Sequence, residues 1–176
     1  GAINPTISDR VTVKTDDSTG ICHVQLNRAY KLNAFDMAMF EAVAETALDL
    51  KEDRWIRAII RSGEGRAFST GLDVKSVMKG GEPMKMIQRL LERESRSSSS
   101  SRHEDNNDEF TINYPTNLAQ DVSMLWRELN VPVIAVLQGM CFGVGLQVAL
   151  GEDFRYFTPD CQLSIMESKW GLIPDM

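Results

Sequence analysis

Val131-Pro132-Val133-Ile134-Ala135-Val136-Leu137, running through Gly139 into Cys141-Phe142-Gly143-Val144-Gly145, is the stretch that decides the fold. Apolar residues without alternation, Val133–Leu137, make a strand covered on both faces, as parallel sheets require. Gly139–Gly145 then reads as a loop and Leu146–Leu150 as a short helix leaving it. Upstream, Leu118, Val122, Leu125, Trp126 and Leu129 form one helical stripe that ends at Val131-Pro132. Downstream, Phe154–Phe157 reads as a further strand.

The first half of the chain has the same order. Val11–Thr15 and Cys22–Leu26 are β-rich runs joined by Asp16-Asp17-Ser18-Thr19-Gly20, which predicts an antiparallel hairpin. From Asp36 a helix carries Phe40, Val43, Ala44, Ala47 and Leu48 on one face and Glu41, Glu45 and Lys51 on the other. Ile56–Arg61 follows as a buried strand, before the turn Ser62-Gly63-Glu64-Gly65. Two successive modules predict an α/β fold of repeated units in one domain, residues 1–176. Between them, Glu82–Glu94 predicts a helix with Met84, Ile87, Leu90 and Leu91 on one side. Ser95–Glu109 has a serine run, then charged and amide residues, with no apolar anchor. It predicts a disordered loop, either a lid over a ligand site or an inert insertion.

Composition narrows the function classes. The chain is 43% hydrophobic, yet its apolar runs end well short of the ~20 residues that span a bilayer. Its net charge of -6 weighs against coating nucleic acid or an anionic membrane. Cys22, Cys141 and Cys161 stand far apart without a CxxC pair, which excludes a zinc finger and fits reduced thiols in an intracellular protein. The histidines, His23 and His103, have no partner at metal-ligand spacing, and His23 reads as a polar position on a half-buried strand. Gly143-Val144-Gly145 lacks the third glycine of a dinucleotide fingerprint, and no Lys-Ser or Lys-Thr follows at phosphate-loop spacing.

Chemistry concentrates in two loops, Ala67-Phe68-Ser69-Thr70-Gly71-Leu72-Asp73 and Cys141–Gly145. Each leaves a buried strand and enters a helix, so unpaired backbone N–H groups can point at one spot. A donor from each loop would suit an acyl oxygen whose negative charge grows during reaction. Taken singly, either loop reads more readily as a packing turn.

Four stretches together resemble the crotonase superfamily of enoyl-CoA hydratases and isomerases. They are Val24-Gln25-Leu26-Asn27-Arg28 with Lys31-Leu32-Asn33-Ala34; Arg66–Asp73; Val131–Val136; and Glu167-Ser168-Lys169-Trp170-Gly171-Leu172-Ile173-Pro174-Asp175. The resemblance implies a crotonase-like spiral of repeated ββα units, assembled as a homotrimer or hexamer. It implies an acyl-CoA substrate, with coenzyme A entering as part of the thioester and no separate cofactor or metal. Several helices would follow Met176, so the C-terminal helical part is expected to be missing.

The resemblance also assigns roles. Leu72 and Val144 supply the oxyanion-hole N–H groups, and Val144 departs from the family's usual glycine. Arg28, Lys31 and Leu32, with Thr70, Asp73 and Val74, hold coenzyme A. Gln147 stands where hydratases place their first glutamate and is assigned to substrate binding, since an amide exchanges no proton at neutral pH. Glu167 matches the second glutamate, and Asp175 matches a carboxylate used by some isomerases. The pair would move a proton along the acyl chain, which favours double-bond isomerisation of an enoyl-CoA. Hydration of the double bond, or a noncatalytic binding scaffold, are the alternatives. Cytoplasm, mitochondrial matrix and peroxisome fit equally.

Overall fold

The computed structural model describes residues 9–79, 83–92, 116–170 and Pro174. Strands β1 (Val11–Asp16) and β2 (Ile21–Leu26) form the expected hairpin, paired antiparallel from Val11 with Leu26 to Asp16 with Ile21. Helix α1 (Met37–Lys51) follows, and Asp36 caps it by accepting from the Met39 N–H at 3.0 Å. Strand β3 (Ala58–Gly63) then lies parallel to β2. Its bounds differ from Ile56–Arg61 because pairing to β2 continues as far as Gly63, while Ile56 packs into the core from the preceding loop.

Helices α2 (Val74–Lys79) and α3 (Pro83–Leu91) precede α4 (Leu118–Arg127), whose Asn117 and Gln120 form a capping box. On α3, Leu90 is buried and Leu91 is exposed. The expected loop at 95–109 lies outside the described residues. Strand β4 (Val133–Leu137) is parallel to β3, and β5 (Met140–Phe142), α5 (Val144–Leu150), β6 (Phe154–Phe157), β7 (Gln162–Ser164) and α6 (Glu167–Trp170) complete the chain order.

The large sheet runs β1-β2-β3-β4-β6, and a small one pairs β5 with β7 in parallel. Each later module therefore places one strand in the large sheet, one in the small sheet, and then a helix: β4-β5-α5, followed by β6-β7-α6. This is the repeated ββα spiral. Bridges from Ser69 to Cys141 and from Phe35 to Leu72 carry the same pattern into the first module. Gly139–Gly145 is thus not only a loop: it contains β5, and α5 begins at Val144 rather than Leu146.

The core joins Met39, Phe40, Val43 and Ala47 of α1 to Leu118, Val122, Leu125 and Trp126 of α4 and to the buried residues of β1–β4. His23 is exposed on β2. Leu150, Phe154, Tyr156, Phe157, Leu163 and Ile165 are exposed, at and beside the β6 edge of the large sheet. Among the described residues no helix is long and apolar enough to cross a membrane.

Candidate active site

The first turn is built by a clasp between two sequence motifs. Leu32 and Asn33 both adopt positive φ, 52° and 53°. Asparagine tolerates this conformation, whereas leucine must be held in it. The holding groups are local. Asn33 Nδ2 donates to the Glu64 and Ala67 carbonyls at 2.9 Å each, and its Oδ1 accepts from the Arg28 N–H at 2.8 Å. Ser69 Oγ donates to the Asn33 carbonyl and accepts from the Gly71 N–H, while the Thr70 N–H donates to the Leu32 carbonyl. The Phe35 N–H bonds the Gly71 carbonyl and the Asp73 N–H bonds the Phe35 carbonyl, so Phe35 pairs on both sides of Leu72. The Leu72 N–H has no acceptor among the described residues.

The second turn lies against the first. Ser69 exchanges backbone bonds with Met140 and Phe142, and the Gly143 N–H donates to the Ser164 carbonyl of β7. Gly143 has φ 50° and ψ -124°, a region open in practice only to glycine. Backbone approach leaves no room for side chains here. A Cβ on Gly71 would come 2.9 Å from the Phe142 carbonyl oxygen, and one on Gly145 would come 2.6 Å from Ser69 Cβ. The Val144 N–H opens α5 and, like that of Leu72, has no acceptor among the described residues.

Among the described residues, the Glu167 carboxylate borders these turns. Glu167 at the start of α6 is 8% exposed, and a Cβ on Gly143 would sit 3.0 Å from its Oε1. Gln147, buried on α5, donates through Nε2 to Glu167 Oε1 at 2.6 Å. Glu167 Oε2 is buried with no hydrogen-bond partner among the described residues. The structure therefore brings both turns, Gln147 and Glu167 together. Asp175 lies outside the described residues.

The residues expected to hold coenzyme A divide into two groups. Leu32 and Thr70 meet through their backbones, Lys31 beside them is exposed, and Val74 is half-buried at the start of α2. Arg28 and Asp73 depart from expectation, because they are spent on internal ion pairs. Arg28 contacts Asp73 at 2.9 Å and Asp36 at 3.1 Å, donates to the Ala34 carbonyl at 2.8 Å and is 5% exposed. A buried guanidinium between two carboxylates has little charge left for a phosphate. Burial would raise both carboxyl groups. It is outweighed at Asp36 by the Arg10 hydrogen bond, the Met39 N–H and Arg28, and at Asp73 by the Ser76 hydroxyl and N–H and Arg28. Both carboxyls therefore lie below their ordinary range.

Sequence reasoning passed over Asn33 and Ser69 as organisers of the first turn, although they lie within Lys31–Ala34 and Arg66–Asp73. The available signal was residue type: asparagine at a positive-φ position, and serine where a short side chain can bond to nearby backbone. Among the described residues, no group of three His, Cys, Asp or Glu is placed to hold a metal ion.

Comparison with known proteins identifies the family and the fold. A family model described as enoyl-CoA hydratase/isomerase matches residues 21–176. The mitochondrial Delta(3,5)-Delta(2,4)-dienoyl-CoA isomerase of Mus musculus is 27% identical over 156 residues, covering 89% of this chain and 43% of that protein. Carnitinyl-CoA dehydratase of Salmonella arizonae is 28% identical over 156 residues, 88% of this chain and 49% of that protein. Among solved structures, an enoyl-CoA hydratase from Bacillus anthracis superposes with a TM-score of 0.70 at 20% identity, over 94% of this chain and 54% of its own. An enoyl-CoA hydratase/isomerase from Xanthobacter autotrophicus Py2 gives 0.69 at 22%, over 92% and 51%. At these identities the structures establish the fold. The chain spans about half the length of the curated relatives it matches. It belongs to the enoyl-CoA hydratase/isomerase family, in the crotonase superfamily.

Proposed function

We propose that the chain binds an acyl-CoA thioester and that its protein isomerises the double bond of an enoyl-CoA. The observation that carries this reading is the Gln147–Glu167 contact: one buried carboxylate beside two turns with unpaired N–H groups, steadied by an amide rather than by a second acid. The Leu72 and Val144 N–H groups bind the thioester oxygen and stabilise the enolate, each donor being worth roughly a factor of 10²–10³ in rate. Glu167 Oε2 takes a proton from C2 of a 3-enoyl-CoA, and the electron pair moves onto the thioester oxygen. The electrons then return through C2 and C3 as C4 gains a proton, giving the 2-enoyl-CoA. Asp175 is assigned the return of that proton. Lys31, exposed beside Leu32 and Thr70, supplies charge for the coenzyme A phosphates, while Arg28 and Asp73 hold the loop.

Hydration is the second reading, favoured by the likeness to a carnitinyl-CoA dehydratase. It calls for a second acid, and Gln147 Nε2 instead donates to Glu167.

Incubation with a 3-enoyl-CoA in D₂O tests the proposal. The double bond is expected to move, with deuterium entering at C4 of the product and, through reversal of the first step, at C2 of the recovered substrate. Glu167→Gln should suppress both by roughly 10³-fold. Asp175→Asn should slow isomerisation while C2 exchange persists. Water addition to crotonyl-CoA, without a shift of the 3-enoyl bond, would replace isomerisation by hydration. The scaffold reading takes over if saturating acyl-CoA leaves the melting temperature unchanged and Glu167→Gln behaves as the parent in every assay.

A further inference from the structure

Behind the candidate active site lies an ion pair that the proposed chemistry does not use. Arg61 of β3 and Glu152, just beyond α5, are 1% and 4% exposed, and Arg61 Nη1 donates to Glu152 Oε1. The guanidinium carbon stands 3.8 Å from the ring centre of Trp126 on α4. Among the described residues this is the ion pair that ties the end of α5 to the central sheet.

As a source of stability the pair is poor. Arg61 Nε and Nη2, Glu152 Oε2 and Trp126 Nε1 are buried with no hydrogen-bond partner among the described residues. Two desolvated ions with hydrogen-bonding capacity unused hold a fold no better than an apolar pair of similar volume. What the pair supplies is direction. A planar fork stacked on an indole and joined to one carboxylate oxygen has a single seat, whereas two aliphatic side chains can slide past each other. Helix α5 has seven residues, about 10 Å. It is wedged at both ends: a Cβ on Gly145 would meet Ser69, and one on Gly151 would come 2.9 Å from the Ser123 carbonyl oxygen. A shift at its C-terminal end is therefore passed to Gln147, one turn away.

We propose that Arg61 and Glu152 are positioning residues: their buried pair fixes the seat of α5 and, through it, the Gln147 amide that holds Glu167. The catalytic half of this inference rests on the isomerase reading above; the structural half does not.

The test is the double variant Arg61→Met with Glu152→Leu, which removes both charges and keeps the apolar volume. Each single change strands a buried charge and is expected to lower the melting temperature, whereas the double variant should melt at or above the parent. With folding preserved, kcat for the 3-enoyl-CoA should fall on the order of tenfold while KM stays within about twofold. The Gln147 side-chain amide signals, identified in ¹⁵N spectra by their loss in Gln147→Glu, should shift and exchange faster with solvent. A double variant with the parent's kcat and an unmoved Gln147 signal overturns the proposal, as does one that loses melting temperature and kcat together. A parent without isomerase activity sinks the isomerase reading alone, because the Gln147 signal still decides whether the pair seats α5.

Discussion

Arg28 shows how a single cation is redirected by its neighbours. Placed within 3.1 Å of two carboxylates, it becomes the centre of a chain running from Arg10 through Asp36 and Arg28 to Asp73 and Ser76, which ties α1 to the first turn. Because Asp36 is held below its unfolded value, its contribution to stability is complete above about pH 4 and is lost as pH falls through the lower folded value. Asp36→Asn keeps a capping oxygen for Met39 but removes the charge. Thermal melts should show a loss of about 2 kcal/mol at pH 7 that shrinks as pH falls through that lower folded value; a loss that stays equal throughout the acid titration would refute the charge argument. Cys141 behaves in the opposite sense. Burial, with Cys161 nearby, pushes its thiol up to about 12. Iodoacetamide at neutral pH should therefore leave Cys141 unlabelled in the native protein and label it after unfolding, as read by peptide mass spectrometry.

At the scale of elements, long periodic segments were legible and short ones were not. The α1 stripe, the α4 stripe as far as Trp126, the β1–β2 hairpin and the buried run of β4 stand where their patterns place them, while Leu129 falls beyond the end of α4 and packs against the core from the following turn. Strands β5 and β7 have three residues each, too few for any alternation to show. They exist because Met140–Phe142 finds partners in Ser69 and in β7, far away in sequence. These strands bring the two turns together, so the same shortness hid the contact at the centre of the site. Gly145→Ala tests how tight that contact is. A methyl group 2.6 Å from Ser69 Cβ must push α5 away from the first turn, at a cost of about 1–3 kcal/mol in urea unfolding. The bond shift of a 3-enoyl-CoA should slow further than stability alone accounts for. Unchanged unfolding would mean that the turns are more loosely packed.

Over the whole molecule, the main feature beyond the site is the apolar edge formed by Leu150, Phe154, Tyr156, Phe157, Leu163 and Ile165. Edges of this kind pair with whatever covers them. The chain as given is expected to bind a hydrophobic dye and to self-associate by light scattering. Phe154→Lys with Phe157→Lys should reduce both while changing stability by no more than about 0.5 kcal/mol. Persistent association in that variant would move the contact to another face. Whether the association is the homotrimer or hexamer that the family resemblance implies is decided by its mass in light scattering.

The sequence by itself determined the repeated α/β modules, the family and the two turns, because each is written in local periodicity, glycine placement or a contiguous motif. Only the tertiary structure decided that Arg28 and Asp73 neutralise each other, that Gln147 steadies Glu167, and that Arg61 meets Glu152 beneath α5. These partners lie 20 to 91 residues apart or are chosen among several equally placed charges. Which charges meet is fixed by how the strands stack and how little water remains between them, and no local pattern encodes that.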